Sequence, residues 1–590
     1  MKAEAESINF LGQAGAIKIP FFQRKYVWTE DNWKDLLDEL LLDKTHFLGS
    51  IILKQQSVAS GKQKETLVID GQQRLTTLSI LLKVLFNSFD EKTRASCQKY
   101  IDTILYYKAK ATSESLLVKI THSKVDRKFF ELLMKDQVLS ITDRSGNILK
   151  CFDWYTNAVA ELTAEQREDL FNNLVDPNDL DENSILVVID LTDSDDEQAI
   201  FDTINSSGVR LTSADIIKNA LFQKAFEIME NTVVEELFEN VWERTFALDT
   251  EAVEFWDRKY ESGRHTRDAT EVLLHGVASI RGFFDPEKNA LTELATLYKN
   301  YIKKMNEQQL VTFIIEIGEY GKLYREKMLE FDASHLFDYA ECEERLFHVL
   351  AVNKFLTFHP YILYLYKKHE NDKKALKTAL GKLERFIMRR MIAGAETRAY
   401  VKYCKEFIQN ETRIDNALLE IRGEQVVSAL KGSISNKDAT LILFWVELYR
   451  RHNDNCVDKD SLKYCYSLEH IMPQDWKKHW SIKAVPVIDD NGQIIEDEEQ
   501  AKTTRAQQIY TIGNMTLLKG ALNSSLKNYD FERKIEGVKG TKNYIRKLAE
   551  LGITKHDIVD PYDKGDKVWN ESKIRNRTQK IIDDVLKMWN

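Results

Sequence analysis

Only seven prolines interrupt a sequence of 590 residues. Proline fixes φ and removes a backbone donor, so it is the residue that most firmly ends a helix. Long stretches here carry no such breaker, and helix is expected to dominate. The length exceeds what one hydrophobic core serves, which implies two to four domains. At 43% hydrophobic and 30% charged, the chain is an ordinary folded one rather than a disordered one.

The helical pattern is broken at both ends. Residues 1–230 mix strand and helix signals: Ser50-Ile51-Ile52-Leu53 and Thr66-Leu67-Val68-Ile69 read as short strands around a polar Ser60-Gly61-Lys62 turn. Ile185-Leu186-Val187-Val188-Ile189 is continuous enough to be a buried strand. Residues 231–455 read as a helical connector. Segments such as Leu346 to Tyr366 and Lys374 to Ile392 carry apolar residues at three- and four-residue spacing, with no repeat of fixed period. Composition shifts again at Asn453-Asp454-Asn455. Residues 456–590 then bring tryptophans, a turn at Pro473 and Asn491-Gly492, a dipeptide suited to a type I′ hairpin. The expected fold class is α+β and predominantly helical.

Several classes are excluded. Six cysteines without a C-x-x-C pair form neither a zinc knuckle nor a disulfide framework and suit a reducing cytosol. Met1-Lys2-Ala3-Glu4-Ala5-Glu6 is no signal peptide. The longest apolar run, Leu441 to Leu448, is interrupted by Glu447 and too short for a bilayer. A cytoplasmic protein with no membrane partner is expected. With a net charge of −10 it is no DNA coat protein, so any DNA binding would use local patches. One such patch is Arg385-Phe386-Ile387-Met388-Arg389-Arg390, which reads either as a core helix with a solvated basic edge or as a DNA-backbone contact.

Two stretches carry chemistry. In the first, Asp70-Gly71-Gln72-Gln73-Arg74 follows a strand and precedes a helix with apolar residues at Leu75, Leu78, Leu82 and Leu85. Gly71 permits the tight turn, and the exposed N–H groups of such a helix start attract anions, phosphate above all. It is not a Walker loop; Gly-Gln-Gln also suits an ordinary turn. Thr212 with Asp215 forms a capping-box-like helix start after the Gly208 turn.

The second stretch runs Ser467-Leu468-Glu469-His470-Ile471-Met472-Pro473-Gln474, then Ile512-Gly513-Asn514-Met515-Thr516-Leu517-Leu518, then Asn523. Phosphodiester hydrolysis needs a base for water and a cation for the leaving oxygen, and a histidine beside a carboxylate can serve both. Singly, each residue has a plainer reading: a surface Glu-His pair, a turn asparagine at Asn514, a helix cap at Asn523. The acidic run Glu496-Asp497-Glu498-Glu499 between them reads as a surface excursion or as a cover for the site.

The order Glu-His-Ile-x-Pro-Gln, Ile-Gly-Asn-x-Thr-Leu-Leu, Asn523 and Phe531-x-x-Lys534, with the tail Trp569…Ile574-Arg575-x-Arg577…Trp589, resembles the nuclease domain of GmrSD-type, modification-dependent restriction endonucleases. That resemblance implies a ββα-metal core of the His-Asn-His kind. It would make His470 the general base and Glu469 a metal ligand. Asn514 would orient His470 through a backbone or ring hydrogen bond, and Asn523 would complete the metal site. An oxygen-rich set of this kind favours Mg²⁺ or Mn²⁺. Lys534 and Arg575 stand as DNA phosphate contacts or as solvated charges.

The N-terminal motif, together with Ile19-Pro20-Phe21-Phe22-Gln23-Arg24-Lys25-Tyr26-Val27-Trp28, Phe47-Leu48-Gly49-Ser50, and Ala199 to Leu211 running on to Asp215-x-x-Lys218-Asn219, resembles the N-terminal domain of the same family, similar to ParB and sulfiredoxin. By that resemblance Gly71, Gln72 and Gln73 would line the phosphates of a nucleoside triphosphate (GTP, UTP, CTP or ATP). Arg74 would neutralise them and Asp70 would place a metal or water, with Gln23, Arg24 and Lys218 nearby. The implied protein is an NTP-regulated, metal-dependent endonuclease acting on modified double-stranded phage DNA, with a homo-oligomer left open. The alternative is an NTP-switched DNA-binding regulator whose nuclease domain is degenerate.

Overall fold

The computed structural model describes residues 2–590 apart from 43–46, 56–64, 109–114, 123, 139–145, 176–185, 193–211, 263–264, 454–460 and 539–541. The expected turn at Ser60-Gly61-Lys62, the first residue of the Ile185 strand, the Ala199 to Leu211 segment with Gly208, Cys456 and the composition shift at Asp454-Asn455 lie outside the described residues. The chain divides into two compact units, Met1–Glu239 and Asn240–Asn590. Three domains were expected. The first unit instead runs past 230, and the second runs across 455.

The first unit is built on a six-stranded mixed sheet. Its strands are β1 (Lys2–Glu6), β2 (Ala16–Lys18), β3 (Gly49–Gln55), β4 (Glu65–Asp70), β5 (Ile120–Thr121) and β6 (Leu186–Leu191), in the order β1-β6-β3-β4-β2-β5. Neighbours β3 and β4 run antiparallel, while β6 with β3 and β4 with β2 run parallel. Side chains of a strand alternate between faces, and the two faces differ here. Ile51, Leu53 and Val68 pack into the main core with Leu75, Leu78, Leu82 and Leu85 of α1 (Gln72–Ser88) and with Tyr155 of α2 (Asn147–Glu161). Ile52, Ile69, Ile189 and Leu191 cluster separately. Between β4 and α1 the chain turns at Gly71, whose φ is +91°. A Cβ there would lie 2.9 Å from Ser50 O, so only glycine fits this passage. Helix α3 (Ser213–Ile228) starts as its sequence predicts, with the Thr212 hydroxyl accepting from Asp215 N–H at 3.1 Å.

The second unit is mostly helical. It contains α4 (Lys373–Ile392), α5 (Asn436–Asn453), β7 (Tyr466–His470), α6 (Glu498–Ile509), β8 (Met515–Lys519), α7 (Gly520–Leu526), α8 (Phe531–Glu536) and α9 (Glu571–Trp589). Helix α9 packs against α4, α5, α6 and the turn at Ile512–Asn514. Those contacts join elements on both sides of 455. Glu447, the single charge in the apolar run of α5, is buried. Its carboxylate accepts from Gly552 N–H at 2.9 Å, Ile553 N–H at 2.8 Å and Arg451 Nε at 2.7 Å. Arg450, next to it, pairs with Asp557 and Asp584, each at 2.7 Å.

Other expectations resolve locally. In α4, Phe386, Ile387 and Met388 are buried, while Arg389 donates to Leu418 O and Arg390 pairs with Glu420, so this is a core helix whose basic edge is used internally. The acidic run is the start of α6: Asp497 caps it, and Glu498 and Glu499 pair with Lys502. Negative charge at a helix N-terminus is stabilising. A turn forms at Asn491-Gly492, closed by an antiparallel bridge from Ile488 to Ile494. The five described cysteines form no disulfide. Among the described residues no helix is long and apolar enough to cross a membrane.

Arg505 and Glu571 join α6 to α9 at 2.7 Å with no exposed side-chain surface on either. Arg505 also donates to Trp480 O and Val485 O. Removing one partner of a buried pair leaves the other charge uncompensated, at a cost of ~3–5 kcal/mol. Arg505→Met should therefore lower the thermal midpoint sharply, and Arg505→Met with Glu571→Met should recover part of the loss. Equal loss in the single and double variants would show that the pair's charges are not coupled.

Candidate functional site

Strands β7 and β8 form an antiparallel pair, with Glu469 opposite Thr516 and His470 opposite Met515, and α7 follows β8 without a break. What aims the end of β7 is Asn514. Its side chain is fully buried, and both ends of the carboxamide are satisfied. Oδ1 accepts from Met472 N–H at 2.9 Å and from the Trp569 indole at 3.1 Å. Nδ2 donates to Met472 O at 2.8 Å and Ile509 O at 3.0 Å. Ile471 N–H donates to the Asn514 carbonyl at 2.9 Å. Of the two expected ways for Asn514 to orient His470, the contacts are those of the backbone one. Arg577 adds to the clamp by donating to Gly513 O and Met515 O, and a Cβ on Gly513 would collide with Ile574 O.

Glu469 and His470, adjacent on β7, have different side-chain neighbours. The Glu469 carboxylate meets Lys534 Nζ of α8 at 2.5 Å, and the same ammonium donates to His470 O at 2.8 Å. Burial pushes the Glu469 carboxyl up and the Lys534 ammonium down, and each ion opposes the other's shift. The His470 ring lies edge-on to Tyr510. Burial, and then the Lys534 charge, push its imidazole down to about 4, so it is neutral near pH 7. Its Nε2 is buried with no hydrogen-bond partner among the described residues. Asn523, on α7, donates from Nδ2 to Leu468 O at 2.9 Å, which fixes its carboxamide beside the Glu469 strand. The structure thus brings Glu469, His470, Asn514 and Asn523 together.

The two expected phosphate contacts are placed differently. Lys534 has no exposed side-chain surface and serves Glu469 and the His470 carbonyl. Arg575 donates to Ile488 O and Asp489 O and pairs with Asp490 at 3.3 Å, so its guanidinium holds the loop before α6. Charge in a sequence does not reveal which carbonyls lie within a side chain's reach.

In the first unit the segments at 19–28, 49–50, 70–74 and 212–219 converge. Gln72 and Gln73, expected along the phosphates, are instead turned to the chain. Gln72 donates to Arg24 O, while Gln73 accepts from Val27 N–H at 2.8 Å and donates to Lys25 O at 3.2 Å. Gln23 donates to Val68 O and Ile69 O. Arg74 donates to Ser50 O at 2.8 Å and packs under Gly49. The three glutamines hold the 20–28 loop on β4 and the first turn of α1, and Arg74 ties α1 to β3. Charges gather beside them. Arg24 is drawn to Asp215 and Asp70, although burial lowers its own pKa. Lys218 pairs with Asp215 at 3.1 Å. Burial raises the Asp70 carboxyl, against the Gly71 N–H, Arg74 and Arg24. A cavity of about 200 Å³ next to this cluster, lined by Phe21, Phe22, Asn219, Gln223 and Phe226 among others, was not anticipated. Its signal was the spacing of Asn219, Gln223 and Phe226 along one helical face.

Asn514→Asp tests the clamp on β7. The change is isosteric but sets a carboxylate against Met472 O and Ile509 O, and each buried unsatisfied group costs ~1–3 kcal/mol. A clear fall in thermal midpoint is expected, measured by circular dichroism. A variant melting with the parent would show that the loop is held by other contacts.

Residues 7–222 match the family model for the N-terminal domain of GmrSD restriction endonuclease, and residues 428–584 match that for the C-terminal domain of GmrSD restriction endonucleases. The second match begins just before α5 and contains the whole β7–β8 site. No curated protein matches the chain.

Proposed function

This chain belongs to the GmrSD restriction endonuclease family, and from that premise we propose that it is a metal-dependent endonuclease, regulated by a nucleoside triphosphate, that cuts modified phage DNA. The observation that carries the reading is His470, whose Nε2 is buried with no hydrogen-bond partner among the described residues, on a clamped strand end that also bears Glu469 and contacts Asn523. An unprotonated imidazole can take the proton of an attacking water. Asn514 sets where that imidazole stands, because it fixes the two residues that follow it. Lys534 holds the Glu469 carboxylate and the His470 carbonyl in register.

Glu469 and Asn523 are the residues that would hold a cation. Both offer hard oxygen, which suits Mg²⁺ or Mn²⁺ better than zinc. Among the described residues no group of three or more His, Cys, Asp or Glu could hold a metal. A site of one carboxylate and one amide fits an ion that keeps several waters, as Mg²⁺ does. The bound ion would stabilise charge on the leaving oxygen.

In the first unit, Arg24 and Lys218 beside Asp70 and Asp215 are the groups we assign to the triphosphate and to its hydrolysis. For the nucleotide to regulate cleavage, it must bind two states of the protein with different affinity, commonly by ~1–3 kcal/mol.

Cleavage of modified and unmodified duplex DNA, with Mg²⁺ or Mn²⁺ and with each NTP in turn, tests the whole reading. His470→Ala should slow cutting by ~10²–10⁴ at an unchanged thermal midpoint; cutting at the parent's rate would remove His470 from the mechanism. Asn523→Ala should raise the metal concentration for half-maximal cleavage, whereas an identical titration would make Asn523 a purely structural contact of Leu468. Arg24→Ala should weaken NTP turnover and change cleavage. Lost turnover with unchanged cleavage, with and without nucleotide, would show that the two activities are uncoupled.

A further inference from the structure

The cavity in the first unit lies on the sheet face opposite α1. Leu67 and Ile69 of β4 line it, whereas Val68 between them points into the core against α1. Helix α3 closes it with Ile216, Asn219, Gln223 and Phe226, residues three, four and three apart and so on one face. At about 200 Å³ it falls below the ~300–1,000 Å³ of sites for drug-sized ligands, leaving room for a single ring system.

Its walls suit such a ring. Phe21, Phe22 and Phe226 pack together with centroids 5.5–5.7 Å from Phe226, and aromatic faces favour planar partners. Asn219 Oδ1 is buried and has no hydrogen-bond partner among the described residues. Buried acceptors are nearly always paired, so this atom marks where a ligand N–H belongs. Each wall segment also supplies a charge at the neighbouring position. Gln23 leads into Arg24, Ile69 into Asp70, and Ile216 and Asn219 flank Asp215 and Lys218. A ligand with its ring in the cavity would carry its anionic part toward the cations of its wall, Lys18 and Lys54, or of the neighbouring cluster, Arg24 and Lys218.

We propose that this cavity is the nucleobase site of the first unit, with Asn219 Oδ1 accepting a hydrogen bond from a ring or exocyclic N–H of a mononucleotide. The inference rests on the reading of this unit as a nucleotide-binding domain, and it adds the base site and the residue that recognises it.

Calorimetry on the full chain tests it with three probes: each NTP, inorganic tripolyphosphate, and a duplex carrying modified bases. Asn219→Leu and Phe226→Ala should each raise the Kd for the preferred NTP at least roughly tenfold, while tripolyphosphate binding shifts by less than about twofold. Tripolyphosphate binding also reports that each variant is folded. Parent-like NTP affinity in both variants overturns the proposal, and so does a parallel loss of NTP and tripolyphosphate. Weakened binding of the modified duplex alone would mean the ring comes from DNA, which also overturns it. A parent chain that binds no NTP would instead overturn the nucleotide-binding reading beneath it, a separate failure.

Discussion

The β7–β8 site depends on one buried carboxamide. A two-stranded hairpin is at best marginally stable in water, and this one carries residues that must be held in place. Asn514 solves that with a side chain whose two donors and two acceptor positions are all used, joining Met472, Ile509 and Trp569. The partners come from the strand end, from α6 and from just before α9. The hairpin is thus braced from three directions by groups that leave no polar atom of Asn514 unpaired. A fully satisfied buried network gives a single arrangement where a partly satisfied one would not.

The first unit uses a different device. Its motif side chains Gln23, Gln72 and Gln73 form hydrogen bonds to backbone atoms, fastening a loop to β4 and to the first turn of α1. Rigid placement of the loop brings Arg24 to Asp70 and Asp215 and brings Phe21 and Phe22 to the cavity. Glycine at 71 allows the sheet and α1 to approach closely enough for this to happen. The motif is conspicuous in the sequence because it is architecture as much as chemistry.

Much of this was legible before the structure. Proline scarcity pointed to the helical excess, the expected strand Thr66–Ile69 lies within β4, which runs into Gly71, and Glu469, His470, Asn514 and Asn523 fall on one strand pair and the turn and helix that flank it. What was not legible followed from burial. Lys534 and Arg575 look like surface charges in the sequence, but one is enclosed with Glu469 and the other is taken up by the carbonyls of 488–489. The resemblance places Gln72 and Gln73 along the phosphates, yet their partners are backbone atoms 46 and 48 residues away, a pairing that no local pattern encodes. The contacts across 455 were not legible for the same reason. A composition shift marks a change of neighbours in sequence, while α5 and α9 are neighbours only in space.

Glu447 gives that last point a practical form. Its carboxylate sits on α5, before the composition shift, and caps the backbone at Gly552 and Ile553 beyond it. Arg450, one turn along, is the counterion of Asp557 and Asp584. A transplant cut at the apparent border would strand the two amides and the Asp584 carboxylate, while Asp557 would keep Arg577, and buried unpaired polar groups are costly. A portable cassette carrying the strand pair therefore has to include α5, and modularity in this protein follows its ion pairs rather than its composition.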